Sequence, residues 1–354
     1  MAGWYLSASP RRLLPTAFFS DADLSAVRHF YRTAPRTSLC ALPGLARSLG
    51  FARLLVKDES ARSDLGAFKI VGARFAIDRL LRSSARRIGH LACATAGNHG
   101  RAVARVAREA GLMAHVYLPR GTATATIEAL RADNADVVIT DTGYDDTVTR
   151  MARDAGARGW TIVSDTAWPG HETVPRLIMA GYTHIVEEAA VEWGDRRPDL
   201  VIVQAGVGSF ATAVAAWLAA RYGSDRPALI VAEPDGSACV LASLQAGRQV
   251  ALAQVAPTAM VGLRCAEVST VAWPILERLA DAAIAVPEAL ALETLAGLAA
   301  PLPGDPAIVA GPSGACGIAA LIRLAQDPAL APVRSALGLN RSTSALAFVT
   351  EAAR

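Results

Sequence analysis

Two lysines, Lys57 and Lys69, stand among 35 basic residues, so the other 33 are arginine (35 − 2). A lysine amine can lose its proton in a shielded site and attack an aldehyde; an arginine guanidinium stays protonated and cannot form an imine. Lys69, in Gly66-Ala67-Phe68-Lys69-Ile70-Val71-Gly72-Ala73-Arg74, is the candidate for that chemistry. An ordinary surface lysine at a helix start accounts for it equally well on this evidence alone. Three loops bear on the choice. Gln204-Ala205-Gly206-Val207-Gly208-Ser209-Phe210 lies between an expected strand and an expected helix, where two glycines let backbone N–H groups hold a phosphate. It lacks the Lys-Ser/Thr of a P-loop, and Ala211 replaces the third glycine of a dinucleotide fingerprint, so a monophosphate fits better. Thr95-Ala96-Gly97-Asn98-His99-Gly100 can present several N–H donors to a carboxylate, though a simple turn capped by Asn98 explains it if it stands alone. Asp165, in Ser164-Asp165-Thr166-Ala167-Trp168, follows a strand where a general base reaches a bound substrate; taken in isolation it reads as a cap or turn residue. Tyr144-Asp145-Asp146 pairs two carboxylates, but its place before a helix favours capping. No H-e-x-x-H metal spacing and no G-x-S-x-G nucleophile elbow occurs, so no metal is expected.

The elements that must position these loops alternate. Helices are predicted from Ser20 or Asp21, before Gly50, over 68–82, 101–110, 126–134 and 145–155, from Phe210, near 239–245, and over 311–324. Strands are predicted at 52–56, 90–94, 114–118, 136–140, 160–163, 200–203, 229–232 and 344–349, with 97–100 a loop and 279–303 packed helices. Repeated βα units with short glycine-bearing links imply an α/β fold, doubly wound with mostly parallel sheets. A length of 354 residues allows two or three domains or one two-lobed enzyme, and 52% hydrophobic with 19% charged residues marks a globular chain. A net charge of +3 with scattered arginines argues against nucleic-acid binding. Five spaced cysteines without a C-x-x-C pair suit reduced thiols in a cytosol. The start of the chain has no signal-peptide pattern, and Gln204, Gly206, Gly208 and Ser209 interrupt the most apolar window. A cytoplasmic protein without membrane contact is expected.

Several blocks in order resemble the diaminopropionate ammonia-lyase family, within the fold-type II pyridoxal-phosphate enzymes (tryptophan synthase β-like). They are Lys57-Asp58-Glu59-Ser60, Ala67-Phe68-Lys69, Gly97-Asn98-His99-Gly100-Arg101, Tyr144-Asp145-Asp146-Thr147-Val148, Asp165-Thr166-Ala167-Trp168, Ile178-Met179-Ala180-Gly181-Tyr182, the Gln204–Phe210 loop and Met260-Val261-Gly262-Leu263. The resemblance runs from about residue 35 to the end. It implies a two-lobed enzyme, with a large cofactor-binding domain of residues 1–69 and 169–354 and a small mobile domain of residues 70–168 that closes over the cofactor. It also implies pyridoxal 5'-phosphate, bound covalently by Lys69, with Asn98 on its phenolic oxygen and the backbone of Gly206, Val207, Gly208 and Ser209 on its phosphate. Thr350 would face the pyridine nitrogen, and Thr95, Gly97 and His99 would hold the substrate carboxylate. Asp165 matches the base for the L-isomer. A homodimer and a small amino-acid substrate follow by the same resemblance.

The expected reaction is β-elimination of L-2,3-diaminopropionate to pyruvate and ammonia. Ala96 stands where the family has an aspartate, which implies that D-isomer turnover is lost or weak. Arg264 replaces a small residue near the cofactor and is a candidate for an extra acidic group on a substrate, or else faces outward; Pro169 and His171 also depart from the family pattern. A serine/threonine-type dehydratase, a β-replacement synthase or a catalytically silent cofactor-binding homologue are the alternatives. Cys239 and Cys265 are candidates for approaching each other.

Overall fold

The computed structural model describes residues 3–95, 97–194 and 196–353, with the backbone but not the side chain of Asp145. Its strands, among these residues, are β1 (Trp4–Leu6), β2 (Leu39–Ala41), β3 (Arg53–Asp58), β4 (His90–Ala94), β5 (Met113–Leu118), β6 (Asp136–Ile139), β7 (Thr161–Ile162), β8 (Leu200–Gln204), β9 (Ala228–Pro234), β10 (Ala282–Val286) and β11 (Ser344–Val349). The chain divides into two compact units, residues 1–68 with 183–354 and residues 69–182. The second break falls inside the helix Thr173–Glu192, downstream of residue 168.

The larger unit holds a seven-stranded sheet in the order β1-β10-β9-β8-β11-β3-β2. Its five inner strands are parallel, and β1 and β2 pair antiparallel at the edges. Every residue of β8, β9, β10 and β11 is buried, as in parallel sheets covered on both faces. The smaller unit holds a four-stranded parallel sheet, β6-β5-β4-β7. The expected doubly wound α/β architecture is therefore present.

Three expectations need correction. The 279–303 stretch is not all helix: Ala282-Ala283-Ile284-Ala285-Val286 is the inner strand β10, and only Glu288–Ala299 is helical. A short apolar run buried on both faces carries no alternation that separates strand from helix. The supposed 97–100 loop is already helix from Asn98, with Gly97 as its cap. That tight entry depends on Gly100, where an added Cβ would lie 2.3 Å from Thr95 Cγ2. The stretch before Ser20, for which no element was expected, contains the edge strand β1. The twenty-residue helix Thr173–Glu192 had no counterpart in the predicted elements. Its first half packs closely in the smaller unit: a Cβ on Gly181 would meet Gly72 Cα at 3.0 Å, and one on Gly72 would meet Tyr182 Cε1 at 2.5 Å.

Its second half supplies the larger unit with a buried charge cluster. Glu188, 3% exposed, takes Lys57 Nζ on Oε2 at 2.9 Å, Arg62 Nη2 on Oε2 at 2.5 Å and His184 Nε2 on Oε1 at 2.8 Å. Arg62 also pairs with Glu59 at 2.8 Å, and Lys57 Nζ donates to the Thr37 carbonyl at 2.6 Å. The cluster fixes the Glu59–Arg62 turn, a few residues before Lys69. Burial pushes the Glu188 carboxyl up, but His184 and then Arg62 outweigh it and hold it well below the usual carboxylate range. A depressed folded pKa stabilises the fold above the ordinary carboxylate pKa, and that contribution disappears as pH falls through the lowered value. Glu188→Gln should cost about 3–5 kcal/mol at neutral pH, because it strands buried cations, and should flatten the acid limb of the stability curve. Urea denaturation from neutral to acidic pH measures both.

Candidate active site

In the smaller unit, Lys69 opens the helix Lys69–Ser83, and its Nζ donates to Asp165 Oδ2. Asp165, 8% exposed, follows β7 in the Ser164–Ala167 turn, where the Ser164 hydroxyl accepts the Thr166 N–H at 3.2 Å. His99 Nδ1 lies 3.9 Å from Asp165 Oδ2. Burial pushes the Asp165 carboxyl up, yet the Lys69 ammonium and then His99 outweigh it and hold it well below its ordinary range. Asp165 is thus an ionised carboxylate at neutral pH, placed directly on the lysine amine.

His99 Nε2 faces the Val163 carbonyl at 2.8 Å. A carbonyl only accepts, so this nitrogen carries a proton, and Nδ1 is the ring nitrogen turned toward Asp165. The His99 backbone N–H, in the first helical turn, is a further donor suited to a carboxylate. Thr95 Oγ1 accepts the Gly97 N–H at 3.0 Å, so that N–H is engaged within the turn while the Thr95 hydroxyl can donate elsewhere. Asn98 is the first residue of the helix. Ala96 lies outside the described residues, as does the Asp145 side chain.

Sequence reasoning missed Tyr182. Fully buried, its ring centroid lies 5.9 Å from Lys69 Nζ, and burial raises its hydroxyl well above the usual phenol range. The Gly72 close approach, readable only in three dimensions, makes room for it.

In the larger unit, the Gly206–Ser209 turn joins β8 to the fourteen-residue helix Ser209–Tyr222. Gly208 has φ 92°, and a Cβ there would lie 2.8 Å from Leu276 Cδ1; one on Gly206 would lie 2.9 Å from Cys265 Sγ. Both positions need glycine, and the result is bare backbone at a helix N-terminus, a cradle for an anion. Thr350, directly after β11, is 2% exposed, and its Oγ1 accepts Gln204 Nε2 at 3.0 Å. Gly66 to Phe68 run antiparallel beside it: Phe68 N–H donates to Thr350 O at 3.1 Å, and Ala352 N–H to Gly66 O at 2.8 Å. Phe68 packs on Phe210 with ring centroids 4.7 Å apart. Cys239 Sγ lies 3.6 Å from the Gly206 carbonyl, so it and Cys265 both border this turn, and neither is in a disulfide. Arg264 is exposed, and its guanidinium donates to the carbonyls of Ala256 at 3.1 Å and Val255 at 3.3 Å. Trp168 and His171 stack at 4.3 Å across a tight turn through Gly170. Among the described residues, no cluster of three His, Cys, Asp or Glu side chains could hold a metal, and no helix is long and apolar enough to cross a membrane.

The smaller unit carries a shielded amine, and the larger a backbone anion cradle and a buried hydroxyl, each a kind of group that pyridoxal phosphate needs. The chain belongs to the pyridoxal-phosphate dependent enzymes: that family matches residues 32–337, and pyridoxal 5'-phosphate is its cofactor. Within that class it is a member of the diaminopropionate ammonia-lyase family, and its fold is type II. It is 34% identical to the diaminopropionate ammonia-lyase of Escherichia coli strain K12, over 94% of this chain and 89% of that one. It is 33% identical to that of Salmonella typhimurium strain LT2, over 91% and 87%. The crystal structure of the Escherichia coli enzyme with an aminoacrylate-PLP azomethine reaction intermediate superposes with a TM-score of 0.88 at 32% identity, covering 99% of this chain and 94% of that one.

Two outcomes follow. Gly206→Ala should weaken cofactor affinity about ten- to a hundredfold, the effect of overpacking worth about 1–3 kcal/mol, in a fluorescence titration. Lys69→Ala should raise the Asp165 pKa, because burial then acts without the ammonium; carboxyl 13C chemical shifts against pH report it.

Proposed function

We propose that the protein converts L-2,3-diaminopropionate to pyruvate and ammonia by β-elimination, and that Asp165 is the base that removes the α-proton. The observation that carries this reading is the ionised, buried Asp165 carboxylate on the Lys69 amine. Membership in a family of carbon–nitrogen lyases supports it.

When bound, the pyridoxal ring supplies an electron sink for carbon–hydrogen cleavage. The residues that would hold it are Lys69 on the aldehyde, Asn98 on the phenolic oxygen, the backbone of Gly206, Val207, Gly208 and Ser209 on the phosphate, and Thr350 on the ring nitrogen. Asp165 Oδ2 receives the α-proton. Lys69 Nζ, hydrogen-bonded to that same oxygen, is the carrier placed to pass a proton to the departing β-amine, which leaves as ammonia. Tyr182 stays a neutral phenol because it is buried, and its ring face supports the Lys69 ammonium. The Thr95 hydroxyl and the His99 backbone N–H hold the substrate carboxylate. Ala96 has no carboxylate to act from the other face, so D-isomer turnover is lost or weak. A small amino acid is the substrate, and the working form is a homodimer in the cytoplasm.

Pyruvate release from cofactor-loaded protein should be seen with L-2,3-diaminopropionate and be at least about a hundredfold slower with the D-isomer, the scale of losing one general base. Asp165→Asn should lower kcat on the L-isomer about 10²–10⁴-fold with cofactor still bound. Faster pyruvate release from L-serine than from the L-diamine would overturn the substrate assignment.

A further inference from the structure

Gln204 ends β8, is 2% exposed, and has no role in the functional reading. Its amide nitrogen faces four oxygens: Thr350 Oγ1 at 3.0 Å, Gly314 O at 3.0 Å, Phe348 O at 3.1 Å and Ser313 O at 3.3 Å. Its Oε1 is buried and takes no hydrogen bond from the described residues. Three of the four oxygens are backbone carbonyls, which can only accept. Turning the amide over would set Oε1 against all three, so the neighbours fix the orientation of the amide. An amide nitrogen can only donate. Thr350 Oγ1 therefore accepts from Gln204, and its own proton must go to a different acceptor.

We propose that Gln204 is a positioning residue that makes the Thr350 hydroxyl a hydrogen-bond donor, and so keeps the pyridine nitrogen of the cofactor as an unprotonated acceptor. The inference rests on the placement of Thr350 at that nitrogen, and it adds the cause of the hydroxyl's direction. A hydroxyl alone can donate to a neutral pyridine or accept from a pyridinium; it rotates to suit. With Gln204 present, one of the two lone pairs is filled and the carbonyls beside it already take the amide's protons, which steers the hydroxyl proton toward the ring nitrogen. Removing the amide has a second effect. Without the amide, the carbonyls of Gly314 and Phe348 lose its N–H and become open to the Thr350 proton, which leaves a lone pair for a protonated ring nitrogen. Space for the amide is built in: a Cβ on Gly317 would lie 3.0 Å from Gln204 Oε1.

The test uses full-length protein loaded with pyridoxal phosphate carrying 15N in the ring. The wild-type nitrogen should show the chemical shift of a neutral pyridine without one-bond N–H coupling. Gln204→Met, close in volume and without a donor, should move the shift toward pyridinium and weaken cofactor affinity about tenfold, the scale of one hydrogen bond. The combined Gln204→Met and Thr350→Val protein should bind the cofactor no more weakly than Thr350→Val alone, since both changes act through one hydroxyl. A loaded wild type with a protonated ring nitrogen overturns the inference alone, and does so even if the methionine variant does not fold. An unchanged shift in folded Gln204→Met, or additive affinity losses, also overturns it. A wild type that takes up no cofactor sinks the functional reading and this inference together.

Discussion

The backbone pairing of Gly66–Phe68 with Thr350–Ala352 is the constraint on which the active-site groups depend. It ties the residue before Lys69 to the residue expected to face the cofactor ring. Side-chain identity matters little to such bonds, but close approach matters greatly. Gly66 supplies it with φ 60°, and Gly311 and Gly314 supply it behind: a Cβ there would lie 2.6 Å from Ala352 O and 2.7 Å from Glu351 O. The glycines that look like punctuation in the sequence are therefore spacing elements between backbones. They let a helix start, a strand end and an extended segment share one narrow layer.

The two lysines show how environment assigns different work to one side chain. Lys57 is fully buried, with Glu188 on its ammonium and a carbonyl beside it. It belongs to a closed set of charges in which every cation meets a carboxylate. Lys69 donates to the Asp165 carboxylate, which itself lies near His99. The first arrangement locks a turn in place; the second leaves an amine and a base coupled through one oxygen, where a proton can change hands. Desolvation opposes both carboxylates, and neighbouring cations reverse it in both cases.

Much of this was legible in the sequence. The βα alternation gave the fold class, and a scarce lysine before a helix, an aspartate after a strand and a G-x-G turn marked groups that the structure shows at an element's start or end. What stayed hidden has physical reasons. β10 and the long helix Thr173–Glu192 are apolar stretches whose periodicity does not separate helix from strand or surface from core. Tyr182 and Gln204 act through partners distant in sequence, and residue type alone does not reveal which way a phenol or an amide points. The orientation of Arg264 was open for the same reason: a guanidinium reads alike whether it meets a ligand or its own chain's carbonyls.

The strand order also has a consequence for synthesis. β3 is made early, yet its inner neighbour is β11, far along the chain, and β11 itself separates β3 from β8. Until β11 leaves the ribosome, β3 with its edge partner β2 has an uncovered apolar edge, and the large sheet exists as two fragments. The smaller unit is encoded in one uninterrupted stretch between them and can fold while they wait. Lys69 and Asp165 therefore lie in the unit that can fold first, whereas Thr350, directly after β11, is set in place only by a long-range strand insertion, the slow kind of contact. Chaperone demand should concentrate in that interval, on the unpaired edge of β3.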